Sequence, residues 1–351
     1  MEDAVNMALH YVLEHLDTAG TYARILFLDF SSAFNTILPP ILESGLSALQ
    51  VPDYTCRWIT HFLSNRTQRV KLGKYTSEPR SISTGSPQGC VLSPLLFSLY
   101  TNCCTSSHQS VKLLKFADDT TLVGLISRGD EAAYRSQIDL VVSWSNNNNL
   151  ELNALKSVEL IVDFRRNPTP TPPIILGGTP VATVESFRFL GVTLSRDLKW
   201  GPNIDALTKK AQKRLFFLRQ LRKFKLPTSM LVNFYTAIIE SIVTSAIITW
   251  FPAAAAKDKA KLQRVIRSAE RVIGCPLPSL GALFNSRALG RARKIMADPA
   301  HPGHGLFAPL PSGRRLRSLK TLKTRHSHSF FPTAIRLVNA LPPPLTSLPT
   351  Q

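Results

Sequence analysis

Along the first half of the chain the spacing of apolar residues changes period several times, and each change marks an element. In EDAVNMALHYVLEHLD the apolar positions Val5, Ala8, Leu9, Val12, Leu13 and Leu16 recur at helical intervals. RILFLDF (24–30) is instead a continuous apolar run of strand length that meets a carboxylate at Asp29. Residues 40–63 predict two helical pieces separated at Pro52. RTQRVKLGKYTSEPRSIS (66–83) alternates about a glycine and predicts a hairpin. STGSPQGCVLSPLLFSLYTN begins as a loop and becomes an apolar helix from about Pro94. VKLLKFADDTTLVGLI (111–126) predicts a second hairpin, 131–147 a helix with Ile138, Val141, Val142 and Trp144 inward, and ELIVDF (159–164) a strand. Past a Pro-rich connector, ILGGTPV and FRFLGVTL predict short strands joined by turns.

From Asn203 the pattern turns helical. Ile204, Leu207, Ala211, Leu215, Leu218 and Leu221 form one stripe, and Lys209, Lys210, Lys213, Arg214, Arg222 and Lys223 occupy much of the remainder. A more apolar helix is expected over 230–250, and a third with an apolar stripe and cations over KDKAKLQRVIRSAERVIG. The fold class is therefore α+β, with strands and helices up to residue 200, an all-α segment over 201–280 and a basic, partly disordered segment over 281–351.

The run 111–126 poses a chemical question, because Asp118 and Asp119 stand together at its apolar midpoint. Ionised carboxylates are costly to bury without partners, so the pair belongs at a solvated turn or against cations. A hairpin turn that happens to use aspartate answers this as well as a metal site does. A metal site needs a third carboxylate, and strand-end Asp29 supplies one if the two elements are sheet neighbours. Hard oxygen ligands of this kind suit Mg²⁺ or Mn²⁺.

Charge sharpens the picture. Residues 1–165 hold 13 basic and 16 acidic residues, a net of −3, whereas 166–351 hold 29 and 7, a net of +22, so the whole +19 excess comes from the second half. A mildly acidic half joined to a strongly basic one suggests a reaction centre attached to a surface for polyanions, against the plainer reading of cations that aid solubility. A hydrophobic content of 44% excludes a disordered chain. Five cysteines without framework spacing point to a reducing compartment, and the His301–His304 and His326–His328 pairs lack companions for a zinc site. No signal peptide or membrane span is legible, which predicts an intracellular, nuclear and cytoplasmic protein with no membrane partner.

Taken in order, LFLDFSSAFNTI, STGSPQGCVLSPLLF, KFADDTTLVGLI, NNLELNALKSVELIVDF and FRFLGVTLSRDLKW resemble the successive palm motifs of reverse transcriptases, in the wording of the non-LTR (LINE-type) retrotransposon branch. The likeness continues through the basic helices and HPGHGLFAPLPSGRR. It implies a polymerase palm (an antiparallel sheet with packed helices) and partial fingers over 1–200, with a helical thumb over 201–280. It also implies an RNA-directed DNA polymerase that uses two Mg²⁺ or Mn²⁺ ions, an RNA template, a DNA primer and deoxynucleoside triphosphates.

The resemblance assigns roles residue by residue. Asp29 and Asp118 become the principal metal ligands, with Asp119 the adjacent carboxylate of the motif. Phe34 becomes the aromatic gate against a ribose 2′-hydroxyl, where sequence alone allows a core aromatic. Gln88 contacts the incoming nucleotide and template base, and Gly89 permits close backbone approach, or is an ordinary loop glycine. Lys156 stands near the triphosphate as a general acid, or is simply solvated. Phe189, Leu190 and Gly191 form the primer grip, and Lys209, Lys210, Lys213 and Arg214 hold phosphates.

Only 28 residues precede Asp29, where the family carries a longer fingers segment and an endonuclease further upstream. The sequence thus reads as an amino-terminally truncated polymerase, with the 66–83 hairpin as its fingers-like part. The intact carboxylates, Phe34 and Gln88 favour catalysis. The short fingers favour a catalytically incomplete fragment that only binds nucleic acid. A metal-dependent nuclease would use the carboxylates but leaves the SPQG loop and the basic helices unexplained.

Overall fold

The computed structural model describes residues 1–341, so the last ten residues of the expected basic tail lie outside the described residues. The chain divides into two compact units, one formed by residues 20–184 and the other by 1–19 together with 185 onward. The first helix, α1 (Glu2–Leu16), and the hairpin near residue 190 thus cluster with the helical part, whereas composition alone had set the boundary near residue 200.

The 20–184 unit is built on a five-stranded sheet. Its strands are β1 (Thr21–Leu28), β2 (Val111–Phe116), β3 (Asp119–Ser127), β4 (Val158–Asp163) and β5 (Ala182–Thr183). The order across the sheet is β5–β4–β1–β3–β2, antiparallel throughout except for the parallel β4–β5 edge. All eight residues of β1 are buried, which explains its continuous apolar run, since a central strand covered on both faces has no solvent side for polar residues. Helix α5 (Ala132–Asn147) covers one face through Tyr134, Ile138 and Val141, against Tyr22, Leu26, Leu122 and Ile126.

A second core collects Phe30, Ile37, Leu42, Leu46, Leu63 and Phe97. It joins the segment after β1 to helices α2 (Pro39–Ala48), α3 (Asp53–Leu63) and α4 (Leu92–Tyr100). The break between α2 and α3 falls at Pro52, as its missing N–H and fixed φ require. The expected 66–83 hairpin forms two short ladders, Arg66–Gln68 with Arg80–Ile82 and Lys71–Leu72 with Tyr75–Thr76.

In the other unit, β6 (Ser186–Phe189) and β7 (Val192–Ser195) form a hairpin whose two turn residues, Leu190 and Gly191, are both left-handed. The long helix α6 (Gly201–Lys223) buries Ile204, Leu207, Ala211, Leu215 and Leu218, the stripe read from the sequence. The single helix expected over 230–250 is instead interrupted. α7 (Thr228–Phe234) runs into a π-helical turn at Tyr235–Glu240, and Ala246 with φ 49° separates the pieces Ser241–Val243 and Ile247–Trp250. Helices α8 (Ala256–Ile273), α9 (Leu280–Ala297) and α10 (Phe330–Asn339) follow, the last two almost wholly within the segment expected to be partly disordered.

The two ends of this unit are tied together by charge. The carboxylate of Asp17, just past α1, accepts the backbone N–H groups of Leu322 and Lys323 at 2.9 Å each and lies 2.7 Å from Nδ1 of His326. Burial alone would raise its pKa, but these hydrogen bonds outweigh that and hold the carboxyl below its ordinary range. Asp3 likewise pairs with Arg291 of α9. No helix among the described residues is long and apolar enough to cross a membrane.

Candidate active site

The antiparallel register of β1 with β3 pairs Leu28 with Thr120, so Asp29 follows the end of one strand where Asp119 begins its neighbour. Asp118 precedes Asp119 in the two-residue turn that joins β2 to β3. The other turn residue, Ala117, has φ 53°, a conformation that residues with a Cβ seldom adopt and that recurs at functional turns. All three carboxylates therefore stand at one end of the sheet. They feel one another: partial burial, then the charges of Asp118 and Asp29, push the Asp119 pKa upward.

Asp29 is held by its backbone rather than its side chain. Its N–H donates to Ser157 Oγ at 3.1 Å and its C=O accepts from Asn153 N–H at 2.8 Å. The Asn153–Ser157 turn that makes this clasp carries Lys156, whose Nζ lies 3.9 Å from Asp29 Oδ2. That oxygen is shut off from water and has no hydrogen-bond partner. A buried, unsatisfied carboxylate oxygen among other carboxylates is the donor chemistry a hard divalent cation requires. Among the described residues, however, no three His, Cys, Asp or Glu side chains are gathered closely enough to enclose an ion.

The SPQG loop is fastened to the turn that follows Asp29. Phe34, in a short 3₁₀ turn, is partly buried with its ring centroid 5.2 Å from that of Phe97. Gly85 N–H donates to Ile37 C=O at 2.7 Å, Ser86 N–H to Phe34 C=O at 2.8 Å, and Thr84 Oγ1 to Asn35 C=O at 3.0 Å. Gln88 is exposed and its Nε2 donates to Asn35 Oδ1 at 3.2 Å. Arg66 secures the far side of the loop by donating to the carbonyls of Thr84 and Gly85 at 2.7 and 2.6 Å. Gly89 has φ +78° with open space around it, a backbone conformation that favours glycine. Close approach occurs at Gly85, where a Cβ would lie 2.7 Å from Asn35 Cα.

Gly85, Arg66, Asn35, Asn153 and Ser157 are thus contributors that sequence reasoning passed over. Asn35, Gly85, Asn153 and Ser157 fall inside recognised motifs and were findable, whereas Arg66 lies outside them and acts on carbonyls eighteen and nineteen residues away.

Phe189, Leu190 and Gly191 and the α6 cations belong to the other unit. Phe189 is buried, and Leu190 and Gly191 form the tip of the β6–β7 hairpin. Lys209, Lys210, Lys213 and Arg214 are all exposed on α6, and none forms an ion pair among the described residues.

The family model described as reverse transcriptase (RNA-dependent DNA polymerase) matches residues 3–194. A short second match, to the N-terminal model of alkylated DNA repair protein alkB homolog 8, is confined to residues 200–241. Among curated proteins, the RNA-directed DNA polymerase from mobile element jockey of Drosophila melanogaster is 25% identical, covering 93% of this chain and 38% of that protein. The probable RNA-directed DNA polymerase from transposon BS of the same organism is 28% identical, covering 62% of this chain and 25% of that protein. The chain thus spans well under half the length of these relatives. Apo telomerase from Candida tropicalis superposes with a TM-score of 0.42 at 14% identity, over 87% of this chain and 55% of that one. With the family model matching more than half of its residues, the chain belongs to the reverse transcriptase (RNA-dependent DNA polymerase) family.

Proposed function

We propose that the chain is an RNA-directed DNA polymerase that adds deoxynucleotides to a primer 3′-hydroxyl on an RNA template. The observation that carries this reading is the Leu28–Thr120 register, which supports a shared role for Asp29, Asp118 and Asp119. Asp29 and Asp118 would hold two Mg²⁺ or Mn²⁺ ions, with Asp119 beside them. Bound there, the ions would supply Lewis acidity, favouring the ionised 3′-hydroxyl and the departing pyrophosphate.

The chain's own residues supply positioning and proton transfer. The 3′-oxygen forms a bond to the α-phosphorus as the bond to pyrophosphate breaks. Lys156, 70% exposed and within reach of Asp29, is suited to donate a proton to the leaving pyrophosphate oxygen. Phe34, braced on Phe97, would crowd a 2′-hydroxyl and favour deoxynucleotides. Gln88, whose side chain among the described residues is tethered only to Asn35, is free to exchange that bond for one to the incoming nucleotide. Phe189, Leu190 and Gly191 would grip the primer end, and the α6 cations would hold duplex phosphates.

The alternative, a chain that only binds nucleic acid, draws support from the spread of the carboxylates. Primer extension on an RNA template with Mg²⁺ separates the two, comparing the chain with Asp118→Asn. Extension that the substitution removes, with duplex binding kept, is the expected result. Extension by Asp118→Asn at the parent rate would sink the metal assignment. Salt-sensitive binding with no extension by either form would leave the binding reading.

A further inference from the structure

We propose that α6 and the π-helical turn facing it form a binding surface for unpaired nucleotides, whose bases stack on Phe216 and Phe217. The inference takes nucleic acid as the partner from the polymerase reading and goes beyond it in naming the strand form and the residues.

Lys210, Lys213, Arg214 and Phe217 recur at three- and four-residue spacing and share one face of α6, with Phe216 beside them and the buried stripe behind. Both rings are open to solvent, Phe216 being 54% and Phe217 47% exposed. Exposed phenylalanines next to each other are costly unless something covers them. They meet edge to face at 5.5 Å, and the Arg214 guanidinium lies 5.9 Å from the Phe217 centroid. Together with Lys210, Lys213 and Ile242 they line a groove of about 810 Å³. An adjoining groove of about 670 Å³ runs between Phe217 and Ile238 of the π-helical turn, and Ile238 is itself exposed. A π-helical turn at such a place is a feature often found at functional sites.

The charge pattern selects the occupant. Among the described residues no carboxylate lines either groove, and the acid on the facing turn, Glu240, points to Arg287 at 3.9 Å. A second copy docking by the same face would bring like charges together. An apolar helix would use the rings and leave Lys210, Lys213 and Arg214 desolvated without partners. A nucleic-acid strand uses both parts, phosphates meeting the cations and base faces the rings. Within a duplex those faces are already occupied by neighbouring bases, so the rings specify an unpaired or frayed stretch.

The test uses the full chain and a single-stranded RNA carrying 2-aminopurine, beside a blunt duplex of the same sequence. The variant is Phe216→Leu with Phe217→Leu, which keeps apolar bulk and removes the aromatic faces. Single-strand affinity is expected to fall about tenfold or more, with loss of 2-aminopurine quenching and an unchanged salt slope. Duplex affinity is expected to hold. Single-strand affinity and quenching that match the parent would overturn the proposal, as would an equal loss for both forms. So would a concentration-dependent dimer that the variant dissolves, since a second copy would then be the occupant. The failures are distinguishable: a chain that cannot extend a primer but shows ring-dependent strand binding loses only the polymerase reading.

Discussion

Two glycines in the SPQG region show how differently one residue type can be required. Gly85 has φ +75° and sits against the backbone of Asn35, so an added Cβ would collide with main-chain atoms that cannot swing aside. Gly89 is equally left-handed but has nothing near it. Gly85→Ala should therefore lift the loop off Phe34 and Asn35 and cut primer extension by about 10²-fold, a cost that loss of alignment can reach. Gly89→Ala should cost only the left-handed penalty of roughly 1–2 kcal/mol, which solvent denaturation would register with extension largely kept. Equal losses for the two variants would argue that the clasp does not position the loop. The sequence made Gly89 legible through its motif, and Asp29 and Asp118–Asp119 through charge in apolar runs. Gly85 stands in the same motif, but its reason was not legible, because what excludes a side chain there is a backbone fifty residues earlier.

At the scale of elements, β1 depends on a charged residue that its apolar run conceals. Arg24 is fully buried, with its guanidinium on Glu159 at 2.8 and 2.6 Å and on Glu131 at 2.7 Å. Tyr22 donates to Glu131 and Tyr134 to Glu159, so β1, β4 and α5 share one buried polar network. Burial would raise the pKa of Glu131, but hydrogen bonds from Tyr22, Arg24 and Arg135 hold it below its ordinary range. Arg24→Met leaves Glu159 without a cation, Glu131 keeping Arg135, and should cost about 3–5 kcal/mol in urea unfolding. Adding Glu159→Met should recover part of that, since removing both partners is cheaper than orphaning one. A double variant as unstable as the single one would contradict this. Periodicity made the strand visible and not the network, because pairing partners more than a hundred residues apart leave no local pattern. The same limit explains the 230–250 segment: one π turn in a run apolar on nearly every side does not disturb the spacing.

For the whole molecule, charge was the most legible property and the grouping of elements the least. The cations on α6 predict a measurable ionic-strength effect. Neutralising Lys209, Lys210, Lys213 and Arg214 together should reduce the log–log salt slope of duplex DNA binding by up to about 3.6, at roughly 0.9 per phosphate contact. An unchanged slope would mean that α6 does not meet the backbone. The compositional shift near residue 200 marks where long helices begin, but it could not reveal that α1 belongs with them. That membership is written in Asp3 meeting Arg291 and Asp17 meeting residues 322–326, across nearly the full length of the chain.

The Asp17 clasp also carries a consequence for biosynthesis. One unit is interrupted in sequence by the other, so a ribosome releases all of residues 20–184 before it has made the partners of α1. At about 5–20 residues per second, the stretch from 185 to 322 occupies roughly ten seconds. Over that interval the partners of Val5, Leu9 and Val12, buried in the finished protein, are only being completed, Ile247–Trp250 first and residues 322–326 last. The sheet-bearing unit can complete its own core during the delay, while the first helix waits for the rest of its own unit to be made.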